Sequence, residues 1–290
     1  MGSGSFTASS YAYYNTSMGK SMDLDTGRIT DGQKFTARRI DADLDPRNFK
    51  IRECVNSEEH PNTIPVILAL DVTGSMGRAC METAQALGVI ITNLYKKYKD
   101  IEFCVMGIGD LAYDRAPIQM SQFESDVRIA ESLDKIYMEH GGGGNDYESY
   151  TAAWYMGLHR TKLDCFDKQG RKGIIITMGD ETLNPYLPAS RLNAAIDDTC
   201  QANIETKTLF EEASKKFDIF HISINETYTY RSLEDKIKES FIAVLGQRFK
   251  VSNINQLAQT IEDCITESIE GTGVEEKSES QVNENGEITW

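Results

Sequence analysis

The sequence predicts an α/β fold: a doubly wound, mostly parallel six-stranded sheet with one antiparallel edge strand and helices on both faces. Two observations predict it. Short, almost continuous apolar runs alternate along the chain with segments whose apolar residues recur every three or four positions. The first pattern is typical of strands buried on both faces, and the second of amphipathic helices. Repeated strand–helix units form parallel sheets covered on both sides.

The alternation runs from about residue 61 to residue 270. Strands are predicted at 63–70, 101–108, 173–177, 217–224 and 248–251. The run 116–123 follows a turn and contains a proline, so it predicts a short edge strand. Helices are predicted where the apolar spacing fits one helical face, at 80–98, 127–138, 147–160, 233–245 and 254–265.

The composition changes on both sides of this region. Residues 1–60 are rich in Ser, Gly, Tyr and Asp and show no regular period, which predicts an extended or weakly structured arm that packs along the main domain. Residues 271–290 carry five Glu against one Lys and few apolar residues. Such a segment cannot offset the entropy of ordering, so we expect an acidic disordered tail. The α/β domain is therefore expected to span 61–270.

The charge of the chain excludes several classes of function. Its 290 residues include 30 Lys+Arg and 45 Asp+Glu, a net charge of −15. A nucleic-acid-binding protein needs a basic surface, and docking on an anionic membrane needs basic clusters. No run approaches the ~18 apolar residues of a transmembrane helix. The six cysteines form no C-x-x-C pair and no signal peptide is recognisable, so we expect a cytoplasmic protein with reduced thiols.

Acidic and hydroxyl side chains follow the predicted strands, at the sheet edge where ligands bind in such folds. A run of four glycines at 141–144 adds further polar residues to that edge. The residues in these positions are Asp71, Thr73, Ser75, Asp110, Asp114, Asn145, Asp146, Glu148, Asp180 and Glu181. Hard oxygen donors of this kind suit Mg²⁺, with Mn²⁺ or Ca²⁺ as alternatives.

The spacing of Asp71, Thr73 and Ser75 has a geometric use. Alternate residues of an extended segment point the same way, so one carboxylate and two hydroxyls can face a single cation. The alternative is that Asp71 and Thr73 only cap the helix that follows.

This Asp-x-Thr-x-Ser sequence after a first buried strand resembles the metal-ion-dependent adhesion site of von Willebrand factor A (vWA) domains. The resemblance covers about 61–270 and implies a protein-binding domain rather than an enzyme. It implies that Asp71, Thr73 and Ser75 hold the metal, and that a partner's Asp or Glu carboxylate fills its open position.

The other two loops of the family match less closely. The family's Gly-Gly-Thr reads Gly-Gly-Gly-Gly-Asn-Asp here, so Asn145 or Asp146 would replace the threonine, and Asp180 is the candidate from the third loop. Side chains that would surround these ligands are Asp110, Asp114, Asp146, Glu148 and Glu181. The layout is similar to that of intracellular vWA proteins of bacteria and phages, which implies a scaffold in a multi-protein assembly, often beside an ATPase.

Two enzymatic alternatives remain open at this point. Thr73-Gly-Ser75-Met-Gly77 is close to the nucleophile elbow of α/β-hydrolases, and Ser75, Asp180 and His221 occur in the expected chain order of a triad. An Asp after a parallel strand is also found in metal-dependent phosphatases. Here, however, a threonine replaces the second Asp of their motif, and the sequence contains no P-loop.

Overall fold

The computed structural model describes residues 4–23, 25–32, 35–139, 144 and 147–278, with side chains as far as residue 271. Its centre is a six-stranded sheet of β1 (Ile64–Asp71), β2 (Ile101–Ile108), β3 (Ile118–Met120), β4 (Gly173–Gly179), β5 (Phe217–Ile224) and β6 (Phe249–Ser252). The strand order is β3-β2-β1-β4-β5-β6. Only β3 runs antiparallel to its neighbour in this sheet. The predicted fold class is confirmed.

Helices cover both faces of the sheet. They are α1 (Ala8–Ser17), α2 (Gly77–Lys97), α3 (Arg128–Asp134), α4 (Thr151–His159), α5 (Asp164–Gln169), α6 (Ala189–Ile196), α7 (Thr206–Ala213), α8 (Tyr228–Leu245) and α9 (Leu257–Ser278). The core on one face includes side chains of α1, α2, α3 and α9. The core on the other face includes side chains of α4 to α8.

The strand β1 shows why apolar and polar residues do not alternate in the predicted strands. Val66, Leu68 and Leu70 pack in the core beneath α2, whereas Ile67 and Ala69 pack in the opposite core. All five are buried. Since both faces of the strand are covered, both sets of alternate side chains must be apolar.

In the described part of the chain, four short two-stranded sheets lie outside the central sheet. Two are antiparallel, Ser21–Met22 with Ile29–Asp31 and Tyr186–Leu187 with Ile204–Glu205. The other two are parallel, Arg52–Cys54 with Thr161–Leu163 and Tyr147–Glu148 with Thr182–Leu183.

The segment before residue 60 packs on the sheet domain. It contains α1, and its Phe6, Tyr11, Ile29 and Leu44 are buried in the core shared with α2. The Tyr11 ring lies against Gly88 of α2, where an added Cβ would overlap the ring. At the other end, α9 continues to Ser278, inside the predicted 271–290 tail, and 279–290 lie outside the described residues.

Two predicted helices are shorter than their apolar spacing suggested. The helix predicted at 127–138 ends at Asp134, because the Gln119 side chain takes both backbone groups of Tyr137. Its Nε2 donates to the Tyr137 carbonyl and its Oε1 accepts from the Tyr137 N–H, each at 2.8 Å. The helix predicted at 147–160 begins only at Thr151, since residues 147–148 pair as a strand with 182–183.

A search of the described residues finds no helix that is both long enough and apolar enough to cross a bilayer.

Candidate functional site

The carboxyl ends of β1 and β4 lie side by side at the centre of the sheet. Leu70 of β1 pairs with Met178 of β4, so Asp71 and Asp180 come at neighbouring strand ends. Both carboxylates are fully buried. The structure thus brings together the first and third loops of the predicted site.

Among the described residues, three donors hydrogen-bond the Asp71 carboxylate. Its Oδ1 accepts from the Thr73 backbone N–H at 2.9 Å and from the Thr73 hydroxyl at 2.5 Å. Its Oδ2 accepts from the Tyr150 hydroxyl at 2.9 Å. These contacts fix the orientation of the carboxylate and fold the loop after β1 over it.

Ser75 links the two strand ends. Its hydroxyl donates to Oδ1 of Asp180 at 3.0 Å, and Ser75 itself is exposed. The buried Oδ2 of Asp180 accepts no hydrogen bond from the described residues. The Ser75 hydroxyl therefore joins the loop after β1 to the loop after β4, and Oδ2 of Asp180 has no partner among the described residues.

The two carboxylates are held in an unfavourable environment for their charge. Burial raises the pKa of Asp71 to about 7, and the nearby Asp180 charge adds to the rise. Burial also raises the pKa of Asp180, although the Thr227, Ser75 and Thr229 hydroxyls partly oppose it. Within the described part of the chain, none of the main groups that shift either pKa is a Lys, Arg or His. A bound cation would reverse this penalty.

Glu148 pairs with Leu183, in the segment after β4, and is 1% exposed. Its Oε2 has no hydrogen-bond partner among the described residues. Burial raises the pKa of Glu148 to about 11, with contributions from the Asp71, Glu181, Asp114 and Asp110 charges. Without a bound cation, burial and the surrounding carboxylates therefore favour the neutral form of Glu148 at pH 7.

Asp110 and Asp114 form a smaller unit in the loop after β2. The Asp110 backbone N–H donates to Oδ2 of Asp114 at 2.7 Å, and Oδ1 of Asp110 accepts from the Ala112 N–H at 2.7 Å. Burial raises the pKa of Asp114 to about 6. These hydrogen bonds give both carboxylates a role in shaping the loop.

The remaining predicted residues have mixed outcomes. Asn145 and Asp146 lie outside the described residues. Glu181 contributes its backbone N–H, which donates to the Tyr150 hydroxyl at 3.3 Å. Its side chain is half-buried.

Sequence reasoning missed Tyr150. Its hydroxyl joins Asp71 to the backbone of the loop after β4, and it reaches this position because residue 179 is a glycine. A Cβ at Gly179 would overlap the Tyr150 hydroxyl. The signal in the sequence is the pair Gly179-Asp180, but only the fold shows which side chain uses the space.

The residues proposed for a hydrolase triad do not form one. The Ser75 hydroxyl donates to Asp180, whereas Nδ1 of His221 lies 2.9 Å from the Thr177 hydroxyl. His221 is fully buried and stacks on Phe241 with 3.7 Å between ring centroids. Burial lowers its pKa well below the ordinary value. His221 is thus a packed core residue.

The donor set at the two strand ends fits a hard divalent cation in its chemistry. Asp71, Thr73, Ser75 and Asp180 offer carboxylate and hydroxyl oxygens, which Mg²⁺ and Mn²⁺ prefer. Oδ2 of Asp180 has no partner with hydrogen-bond geometry among the described residues, although the Thr227 and Thr229 hydroxyls lie near enough to lower the pKa of this carboxyl. Among the described residues, no three Asp, Glu, His or Cys side chains are grouped closely enough to hold a metal by themselves. Hydroxyls, water or further groups would therefore have to complete the coordination.

In comparisons with solved structures, this chain is similar to parts of two bacterial pilus proteins. One is the pilus adhesin SpaC from Lactobacillus rhamnosus GG in its open conformation, at 10% identity and a TM-score of 0.49. The match covers 78% of this chain and 31% of SpaC, so this chain spans less than a third of that protein. The other is the vWF domain of the type V pili tip protein Mfa5 from Porphyromonas gingivalis, at 10% identity and a TM-score of 0.45, covering 78% of this chain and 98% of that domain. The sequence matches no protein-family profile and no curated protein.

Proposed function

We propose that this chain is a protein-binding module whose site is completed by a divalent cation, Mg²⁺ first and Mn²⁺ or Ca²⁺ as alternatives. Asp71, Thr73, Ser75 and Asp180 would hold the ion. The observation that carries this proposal is the buried pair Asp71 and Asp180, which has no basic partner among the described residues and leaves Oδ2 of Asp180 unpartnered.

The energetic argument starts from the cost of burying charge. Two carboxylates buried side by side raise each other's pKa, and a protein keeps such a pair only where a proton or a cation offsets the repulsion. Tyr150 and Thr73 hold Asp71 in one orientation, which favours a fixed ligand over a collapsed side chain. The bound ion would supply a positive charge for an acidic ligand.

The resemblance to vWA domains supplies the rest of the proposal. By this analogy, the ligand is an Asp or Glu carboxylate of another protein, and Asn145 is the candidate ligand from the glycine-rich loop. The analogy also suggests a cytoplasmic scaffold in an assembly that includes an ATPase, in a bacterium or phage. The six cysteines are unpaired and five are buried, as is common in a reducing compartment.

The test is calorimetric titration of Mg²⁺ and of Mn²⁺ into chelator-stripped protein. We expect one site in the wild type, and no binding in Asp71→Asn. Because Asn keeps the size of the side chain and can still accept from Thr73, this variant should fold. A matched control is Asp164→Asn. Asp164 is a buried aspartate outside the candidate site, and its carboxylate pairs with Lys168 at 2.7 Å.

Two results would contradict the proposal. One is the absence of cation binding by the wild type. The other is equal cation affinity in the wild type and Asp71→Asn, since the proposal makes this carboxylate a ligand. The control variant should bind the cation like the wild type, which separates loss of the site from a general loss of structure.

A further inference from the structure

Two exposed tyrosines flank the candidate site on the same edge of the sheet. Tyr113 lies in the loop after β2 and is 59% exposed, and Tyr228 begins α8 after β5 and is 87% exposed. The order of the intervening strands is β2-β1-β4-β5. Asp71 and Asp180 therefore lie between the two tyrosines.

Hydrogen bonds order the backbone beside both tyrosines. The Tyr113 N–H donates to the Asp110 carbonyl at 3.2 Å, and the Tyr113 hydroxyl lies 3.3 Å from the position of an added Cβ on Gly144. Tyr228 follows Thr227, whose hydroxyl caps α8 by accepting from the Tyr230 N–H at 3.1 Å. Rings presented from an ordered backbone lose less entropy when a partner covers them.

Three exposed side chains near the site, those of Tyr113, Tyr228 and Arg78, are of types that are common in protein interfaces. Tyrosine and arginine are enriched among the residues that carry most of the binding energy. Arg78 is exposed in the first turn of α2, directly after the loop that contains Ser75. It forms no ion pair within the described part of the chain, and its charge complements an incoming carboxylate.

We propose that Tyr113 and Tyr228 are the two ends of a docking surface for an extended segment of a partner protein, which presents one Asp or Glu between two bulky apolar side chains. This inference rests on the proposed function, because the central carboxylate binds at the cation. The new element is a preference for particular partner residues on either side of that carboxylate.

The spacing sets the positions of the apolar side chains. The strands β2 and β5, which lead into the segments that carry Tyr113 and Tyr228, are three strand spacings apart, about 14 Å at ~4.8 Å each, and we take this as the separation of the two tyrosines. An extended segment rises about 3.3 Å per residue, so four residues span the same distance. Residues two before and two after the acid also point to the same side as the acid. The preferred partner sequence therefore has apolar side chains at positions −2 and +2 and no preference at −1 and +1.

The experiment uses a displayed peptide library with a fixed central Asp and random residues at the three positions on each side. It is selected on the full chain in Mg²⁺. We expect enrichment of large apolar residues at −2 and +2 and not at −1 and +1. One enriched peptide is then synthesised with a fluorophore, and its affinity is measured by anisotropy.

The variants Tyr113→Ala and Tyr228→Ala should each weaken this peptide about tenfold or more, as expected for an interface anchor. The matched control is Tyr13→Ala, which removes a 79% exposed tyrosine from α1 and should leave the affinity unchanged. All three variants should keep the wild-type Mg²⁺ affinity by calorimetry.

The outcomes distinguish this inference from the function on which it rests. If Mg²⁺ binds but the library gives no preference at −2 and +2, or the two tyrosine variants bind the peptide like the wild type, the docking surface is refuted and the cation site stands. If a peptide with Asn in place of the central Asp binds equally well, the carboxylate part is refuted. If the wild type binds no cation, the proposed function itself fails.

Discussion

Replacing Glu148 by glutamine should stabilise the protein. Glu148 is buried, its Oε2 is unpartnered among the described residues, and its pKa is raised to about 11 from an ordinary value of 4.5. At pH 7 the unfolded chain carries this carboxylate ionised, so folding must take up a proton. Two and a half pH units separate 4.5 from 7, and at 1.36 kcal/mol per unit the uptake costs about 3 kcal/mol. Glutamine has the same shape and needs no proton.

The sign of the pH dependence follows from the direction of the shift. The folded protein binds one proton more than the unfolded chain between the unfolded pKa of 4.5 and the folded pKa of about 11. The unfolding free energy therefore falls as pH rises through this window, by about 1.4 kcal/mol per unit from this group. In Glu148→Gln this part of the slope is absent, so the gain over the wild type grows with pH.

Urea unfolding in chelator at pH 5, 6, 7 and 8 measures both quantities. The matched control is Glu139→Gln. Glu139 is also buried, but its Oε1 accepts from the Arg115 and Ala116 N–H groups at 2.8 and 2.7 Å. That variant should lose about 1 kcal/mol because charge-assisted hydrogen bonds are replaced by neutral ones. A Glu148→Gln protein that is less stable than the wild type at pH 7, or that has the same pH slope, would refute the reasoning.

Three further predictions concern the site and the N-terminal segment. In chelator, the unfolding free energy of Asp71→Asn should fall less between pH 5 and pH 7 than that of the wild type. The folded pKa of Asp71 is raised to about 7 from 3.8, so the cost of burying this carboxyl grows as pH rises through that window. Urea titrations at each pH measure the difference. Gly179→Ala should lower the unfolding free energy by about 2–4 kcal/mol, since the added Cβ overlaps the Tyr150 hydroxyl and breaks its hydrogen bond to Asp71; an unchanged urea midpoint would contradict the observed packing. Gly88→Ala should destabilise the protein by about 1–3 kcal/mol because its Cβ overlaps a tyrosine ring of α1, whereas Gly77→Ala in the same helix meets open space and should stabilise it by up to about 1 kcal/mol. Thermal melts of the two helix variants should shift in opposite directions.

The buried strands could be predicted from the sequence because their signal is local. β1 was expected at 63–70 and lies at Ile64–Asp71, and β5 was expected and found at 217–224. An apolar run that must be covered on both faces has few other solutions in a chain of this composition. The two Asp residues at neighbouring strand ends follow from the same reasoning, since parallel strands share one carboxyl edge.

The parts that could not be predicted depend on contacts between distant residues. The end of α3 is set by the side chain of Gln119, which hydrogen-bonds the backbone of Tyr137 and has no signature in the helix itself. Tyr150 reaches Asp71 only because Gly179 leaves space on a different strand. Position in the sequence indicates which side chains are candidate oxygen ligands, but not the neighbours that orient them.

The position of α2 between segments from both ends of the chain has a consequence for folding. Tyr11 of α1 packs on Gly88 of α2, and Asn93 of α2 donates to Glu262 of α9 at 3.1 Å. A ribosome must therefore release the chain as far as α9 before α2 can be covered on both sides. Contacts that join such distant residues require large loops to close, which slows folding. During that interval the sides of α2 that α1 and α9 will cover are open to chaperones and to other nascent chains. Synthesis at low temperature or with a holdase should therefore raise the yield of folded protein.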